Sequence, residues 1–216
     1  MKPDITINGT SMMALGWLRE RVDFPTPQSQ SEIIVVPGRN SPIRYTKALG
    51  RVAYQPRSFD LTFTMLGNRA EFDNMVSEIA NRYAGQLVKI ICTEAPSLYV
   101  TGTVELAPTY DPLTGKGTLV LSSTDADAYR YYVEETVVAI TGSGSVILTN
   151  DYMPVVPVVK TTAETALAWQ VGSDSFRKSV SAGTWEFPEL ELAYGDNTIS
   201  ITGSGTTTFT YREGRL

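Results

Sequence analysis

"SFDLTFTMLGNRAEFDNMVSEIANRYAGQLVKI", residues 58 to 90, changes its hydrophobic period twice and so decides what kind of fold the chain takes. In its first part Phe59, Leu61, Phe63 and Met65 alternate with Ser58, Asp60, Thr62 and Thr64, the two-residue rhythm of a strand with one face in a core. Beyond Gly67 the rhythm becomes helical: Phe72, Met75, Val76, Ile79 and Tyr83 recur at steps of three and four and make one apolar stripe. The spacing predicts a helix over about 69–84. Asn68 can cap its start, Glu71 suits the first turn, and Gly85 can adopt the left-handed conformation that stops it. The stripe should lie against a sheet, with Asn74, Glu78, Asn81 and Arg82 in solvent.

Outward from that segment, strand-like stretches dominate. They are "EIIVVP" (32–37), "LVKIICT" (87–93), "SLYVTGTVELA" (97–107) and "GTLVLSS" (117–123), and no second stretch reads clearly as a helix. After residue 132 the texture shifts to short strands separated by Gly, Ser, Asn and Pro. The expectation is a mainly β protein of two domains: residues 1–132, a β-barrel or sandwich carrying the helix, and residues 133–216, a β-sandwich. A chain of 216 residues lets each half bury a workable core. Within the second half "AITGSGSVIL" (139–148) is echoed by "SITGSGTTTF" (200–209), and each reads as a hairpin: strand, Gly-Ser-Gly turn, returning strand. "TYDPLTGKGT" and Asn8-Gly9 read as tight turns.

Composition narrows the function. With 42% hydrophobic and 19% charged residues the chain is globular. No apolar run reaches the ~18 residues of a membrane span, and the start lacks a signal-type apolar core, so the expectation is a soluble chain made in the cytosol. The formal charge of −5, from 23 acidic against 18 basic residues, opposes condensation onto DNA. The single cysteine, Cys92, excludes an intrachain disulfide and sits in an apolar run.

The sequence has no histidine, which removes the commonest general base, the commonest metal ligand and every Ser-His-Asp or Cys-His arrangement. Carboxylate clusters remain: Asp125 with Asp127, Glu134 with Glu135, and Glu186 with Glu189 and Glu191. A glycosidase needs two of these brought together, which spacing alone does not establish, and solvated surface is the simpler reading. Gly115-Lys116 fails the phosphate-loop pattern, because Tyr110 stands where the first glycine belongs and Gly117 where Ser or Thr belongs. No catalytic residue, metal or cofactor is expected.

Two leads survive. In the second half Tyr152, Trp185 and Tyr194 could stack on sugar rings, whereas Trp169 shares a strand face with Leu167 and Val171 and belongs in the core. In the first half residues 35–63 hold the basic residues Arg39, Arg44, Lys47, Arg51 and Arg57, with Tyr45 among them and Pro42 and Pro56 as stiffeners. A phosphate cradle, a lid and an arm gripping a neighbouring subunit are the three candidates. The charges are too spread for one phosphate nest, and a long structureless loop is unusual in a compact domain, so residues 37–57 are read as an arm packing on an adjacent subunit.

The order of these features resembles the distal tail (Dit) proteins of siphophages. The carriers are the "VVPGRN" loop, the helix followed by "GQLVKI", the "APSLYVTGTV" hairpin, and the "AYGDN" turn near the end. The resemblance implies a galectin-like or carbohydrate-module-like second domain and a non-enzymatic structural protein. It further implies a homo-oligomeric ring, a hexamer, at the tail tip of a phage or prophage virion. The ring would be assembled in the bacterial host cytoplasm between tail tube and tail-tip or baseplate hub proteins, with the tape-measure protein a further candidate neighbour, and DNA would pass through it. A different class of reading makes residues 134–216 a carbohydrate-binding module for host cell-wall saccharide.

Overall fold

The computed structural model describes residues 3–35, 37–38, 40–41, 43–45 and 52–216. The chain divides into two compact units, Met1–Arg130 with Leu216, and Tyr131–Arg215. It is mainly β, with several antiparallel sheets and a single helix among the described residues.

In the first unit the strands are β1 (Ile5–Ile7), β2 (Thr10–Ser11), β3 (Leu18–Asp23), β4 (Glu32–Ile34), β5 (Ile43–Tyr45) and β6 (Arg57–Leu66). After helix α1 (Arg69–Tyr83) come β7 (Leu87–Cys92), β8 (Leu98–Thr103), β9 (Glu105–Asp111) and β10 (Lys116–Ala126). One sheet has the order β3-β6-β10-β9, and in another β2-β1-β7-β8 lie side by side. The alternation in β6 sets the register: Phe59, Leu61, Phe63 and Met65 are buried, and Leu61 and Phe63 stand opposite Leu121 and Leu119 of β10. Ile5, Ile7, Val88, Ile90 and Val100 from the second sheet join the same core cluster. Burying each such side chain is worth roughly 1.5–3 kcal/mol, so the inner rows dominate the unit's stability.

Helix α1 closes this core through Phe72, Ile79 and Tyr83, while Asn74, Glu78, Asn81 and Arg82 are exposed. A capping box holds its start, with the Asn68 side chain accepting from Glu71 N–H and Glu71 accepting from Asn68 N–H. Ion pairs one turn apart, Arg69–Asp73 at 2.9 Å and Glu78–Arg82 at 2.6 Å, line its outer face. Gly85 follows at φ 67° and its N–H donates to Val104 O, which ends the helix and ties it to the β8–β9 junction. Phe72 lies over Gly117 of β10, the one residue type that leaves room for the ring there.

"SLYVTGTVELA" is two strands and not one. β8 and β9 belong to different sheets, and the break falls beside Gly102 and the fully buried Val104. The chain passes so close to β10 that a side chain at Gly102 would meet Ala126 Cβ at 2.9 Å. A glycine inside a strand marks such a close approach.

β11 (Arg130–Tyr132) spans the division between the units. The second unit continues with β12 (Thr136–Thr141), β13 (Gly144–Asn150), β14 (Val158–Thr161), β15 (Thr165–Val171) and β16 (Asp174–Val180). β17 (Gly183–Glu186), β18 (Gly195–Gly203), β19 (Thr206–Tyr211) and β20 (Gly214–Arg215) complete it. Two four-stranded antiparallel sheets, β12-β19-β14-β17 and β13-β18-β15-β16, bury one shared cluster. Val159, Phe209 and Tyr211 come from the first sheet and Leu148, Leu167, Trp169, Ile199 and Ile201 from the second.

The two Gly-Ser-Gly segments are not hairpins. β12 and β13 lie in different sheets, as do β18 and β19, so each connection steps across the core. The flanking strands both carry apolar residues into one interior, and a hairpin within a single sheet would leave that interior without its second layer. The echoing segments pair with each other instead: Thr141 stands opposite Thr206, Gly144 opposite Ile201, and Gly142 N–H donates to Gly205 O at 2.9 Å.

Candidate functional site

The basic excursion is anchored by backbone pairing. Gln30 N–H donates to Ala53 O and Gln55 N–H to Gln28 O, both at 2.8 Å, and further out β4 pairs with β5. The expected loop over 37–57 therefore contains a strand, Ile43–Tyr45. Consecutive apolar residues on this two-stranded piece face solvent: Ile33 is 56% exposed and Val35 77%. A two-stranded ribbon with both faces wet is marginal by itself, so this apolar surface is the part of the arm best suited to cover by other protein. "EIIVVP" lacks alternation, and that was the available signal for it.

Of the basic residues expected on the arm, Arg39, Lys47 and Arg51 lie outside the described residues, as do the side chains of Arg44 and Tyr45. Arg57 is the first residue of β6, and its side chain is 2% exposed instead of standing on an open arm. It continues the inward row of Phe59 and Leu61, opposite Ala126. Burial, and then the neighbouring charge of Arg130, lower its pKa from the ordinary value. Nothing local in "DADAYRYY" marks Arg130 for this place. The chain segments carrying these two arginines are joined by Tyr54 and Tyr129, whose rings meet edge to face at 5.7 Å and 88°.

In the second unit Trp169 is core, stacked on Phe176 at 5.7 Å with its indole N–H donated to Glu189 O at 3.0 Å. Trp185 stands opposite the buried Val159 on edge strand β17, and its indole N–H is committed to Ser181 O. Tyr152 and Tyr194 are exposed on two loops that meet at one end of the β13–β18 ladder, where Asn150 pairs with Gly195. Asn150 donates to Met153 O and Leu192 O, and Asn197 to Leu148 O, Ala193 O and Gly195 O, which fixes both loops. The loops that carry the two tyrosines thus start from paired strand ends, and Trp185 belongs to another sheet. An open depression of about 560 Å³ on the β13-β18-β15-β16 sheet is lined by Gln170, Ser175, Asp196, Thr198 and Ser200 among others.

Four of the carboxylates make local contacts. Asp125 accepts from Thr103 N–H and Ser123 Oγ, which lower its pKa, and Asp127 accepts from Thr101 Oγ1. Glu135 pairs with Arg212 at 2.8 Å. Glu189 pairs with Lys178 at 3.3 Å, and its own backbone N–H, then Lys178, lower its pKa. Among the described residues no group of three or more Cys, Asp or Glu could hold a metal ion. Burial pushes the Cys92 thiol up to about 11.

No family model matches the chain, and no curated protein matches it. The fold is shared, however, with a hub protein of the adsorption apparatus of phages that infect Gram-positive bacteria. The structure concerned is the crystal structure of the Dit protein of phage SPP1, with a TM-score of 0.73 over 98% of this chain and 99% of that one. At 13% identity the similarity is one of fold.

Proposed function

We propose that the chain is a structural virion protein of the distal-tail type, whose copies close into a ring, six in number, between tail tube and adsorption apparatus. The observation that carries this reading is the fold match along nearly the whole of both chains. In it the first unit is the ring-forming domain and the second a galectin-like sandwich. The excursion at 28–55, with Ile33 and Val35 in solvent, supplies an attachment surface for the adjacent copy. Its partners are itself, the tube protein, the hub or baseplate proteins and the tape-measure protein, at the tail tip of a particle assembled in the bacterial cytoplasm. The net charge of −5 suits a ring through which DNA passes without being held. The ring serves attachment and not turnover. Light scattering after size exclusion, with negative-stain microscopy of the protein alone and with its tube protein, tests this. Rings of uniform diameter are expected, and a monomer that also ignores the tube protein refutes it.

A second reading is favoured by the two exposed tyrosines on adjoining loops, and makes the second unit a saccharide binder on the tail tip. Calorimetric binding of host-wall polysaccharide that is lost in Tyr194→Ala, and kept in Trp185→Phe, would support it. No binding by the intact protein removes it.

A further inference from the structure

The row of inward residues on β6 contains one charge. Phe59, Leu61 and Phe63 are at most 1% exposed, and Arg57, two positions before Phe59, is 2% exposed. The Nε atoms of Arg57 and Arg130 are both buried and have no hydrogen-bond partner. Other arginines of this unit are matched: Arg19 with Glu94, Arg21 with Asp23, Arg69 with Asp73 and Arg82 with Glu78. Among the described residues neither Arg57 nor Arg130 has a carboxylate within ion-pair distance. Residues 1, 2, 36, 39, 42 and 46–51 contain no Asp or Glu, and Glu32 is the one carboxylate whose side chain lies outside the described ones.

A buried cation without a counter-ion is among the costliest arrangements a fold can hold, and a second cation beside it adds repulsion. The two cations are nevertheless built in: Arg57 is fixed by the ladder opposite Ala126, and the Tyr54–Tyr129 ring contact joins the segments that carry Arg57 and Arg130. Arg130 is only partly buried, so solvent reaches part of its side chain. Guanidinium groups present planar forks of N–H donors matched to the oxygens of carboxylate and phosphate.

We propose that Arg57 and Arg130 form an oxyanion site, completed from outside the chain by a carboxylate of a second copy or by a free inorganic phosphate. The first source rests on the ring reading and the second does not. The pKa of Arg57, already lowered by burial and by Arg130, is what an anion in the site would restore.

The test is a titration of the whole chain with sodium phosphate against sodium chloride at matched ionic strength, reading melting temperature and scattering mass. It is run on wild type, Arg57→Met and Arg130→Met; the second variant serves if the first fails to fold, because Arg130 is the less buried. A saturable rise in melting temperature with phosphate alone, absent in the variants and with mass unchanged, establishes the free-anion form. A fall in assembled mass on adding phosphate, reproduced by either variant without phosphate, establishes the carboxylate of a second copy. A wild-type protein that responds identically to phosphate and chloride, with the same mass as both variants, overturns the site. A monomer that still responds to phosphate leaves the site standing and removes only the ring.

Discussion

Gly117→Ala should unseat the helix. A Cβ built on Gly117 falls 2.2 Å from Cδ2 and 2.7 Å from Cε2 of Phe72, far inside van der Waals contact, and 3.0 Å from Met65 Cγ. The Phe72 ring has nowhere to go, because Trp17 meets it edge-on at 6.2 Å and Tyr110 lies against it at 5.4 Å. Trp17 is itself fully buried. Overpacking a filled core costs about 1–3 kcal/mol, and a blocked ring puts this substitution at the upper end, about 3 kcal/mol. For a unit of this size that is a fall in melting temperature on the order of 10 °C. Urea unfolding measures the loss, and hydrogen exchange should locate it in α1 and β10 with the second unit's amides unchanged. Two units make a single two-state fit inappropriate, so the location matters as much as the size. Adding Phe72→Leu should return part of the loss, with a coupling of roughly 1 kcal/mol between the two sites. Stability of Gly117→Ala within about 0.5 kcal/mol of wild type would show that the ring does not rest on that glycine.

Three further outcomes follow from single side chains. The Arg19 guanidinium holds the Glu94 carboxyl at about 2 from an ordinary 4.5, so its stabilisation is complete above about 4.5 and is lost as pH falls toward 2. Glu94→Gln should flatten the melting-temperature profile across that window, and an unchanged acid limb would refute the pairing. Asn150→Asp places a carboxylate against Met153 O and Leu192 O in a fully buried position and should cost the second unit about 3 kcal/mol at neutral pH. Part of that loss should return near pH 4, where the carboxyl can donate again; a loss independent of pH would contradict this. Cys92, its thiol pushed to about 11 by burial, should react slowly with a disulfide reagent at pH 8 and rapidly in urea, and fast labelling of the native chain would place it at the surface.

Much of the fold was legible because short-range physics decided it. Alternation in β6 named its buried face, and the three-and-four stripe with Asn68, Glu71 and Gly85 named helix α1 and both its ends. Asn8-Gly9, with both residues at positive φ, joins β1 to β2 as read. What failed was long-range. A Gly-Ser-Gly between two apolar runs is compatible with a hairpin or with a step between sheets, and the choice rests on which strands meet, a matter settled by Thr141 opposite Thr206 and not by local residues. "SLYVTGTVELA" alternates through its length, yet Gly102 and Val104 turn it from one sheet to another. The candidate site was less legible still. The charge of Arg57 suggests placing it with the arm, yet it stands two residues before Phe59, in phase with the buried row. The phase was the better guide than the charge.

The pairing of β12 with β19 sets Thr136 beside Tyr211, so the second unit's polypeptide arrives and departs through neighbouring strands. With the unit's first and last long strands bonded to each other, neither can fray alone: loosening either one opens the same ladder.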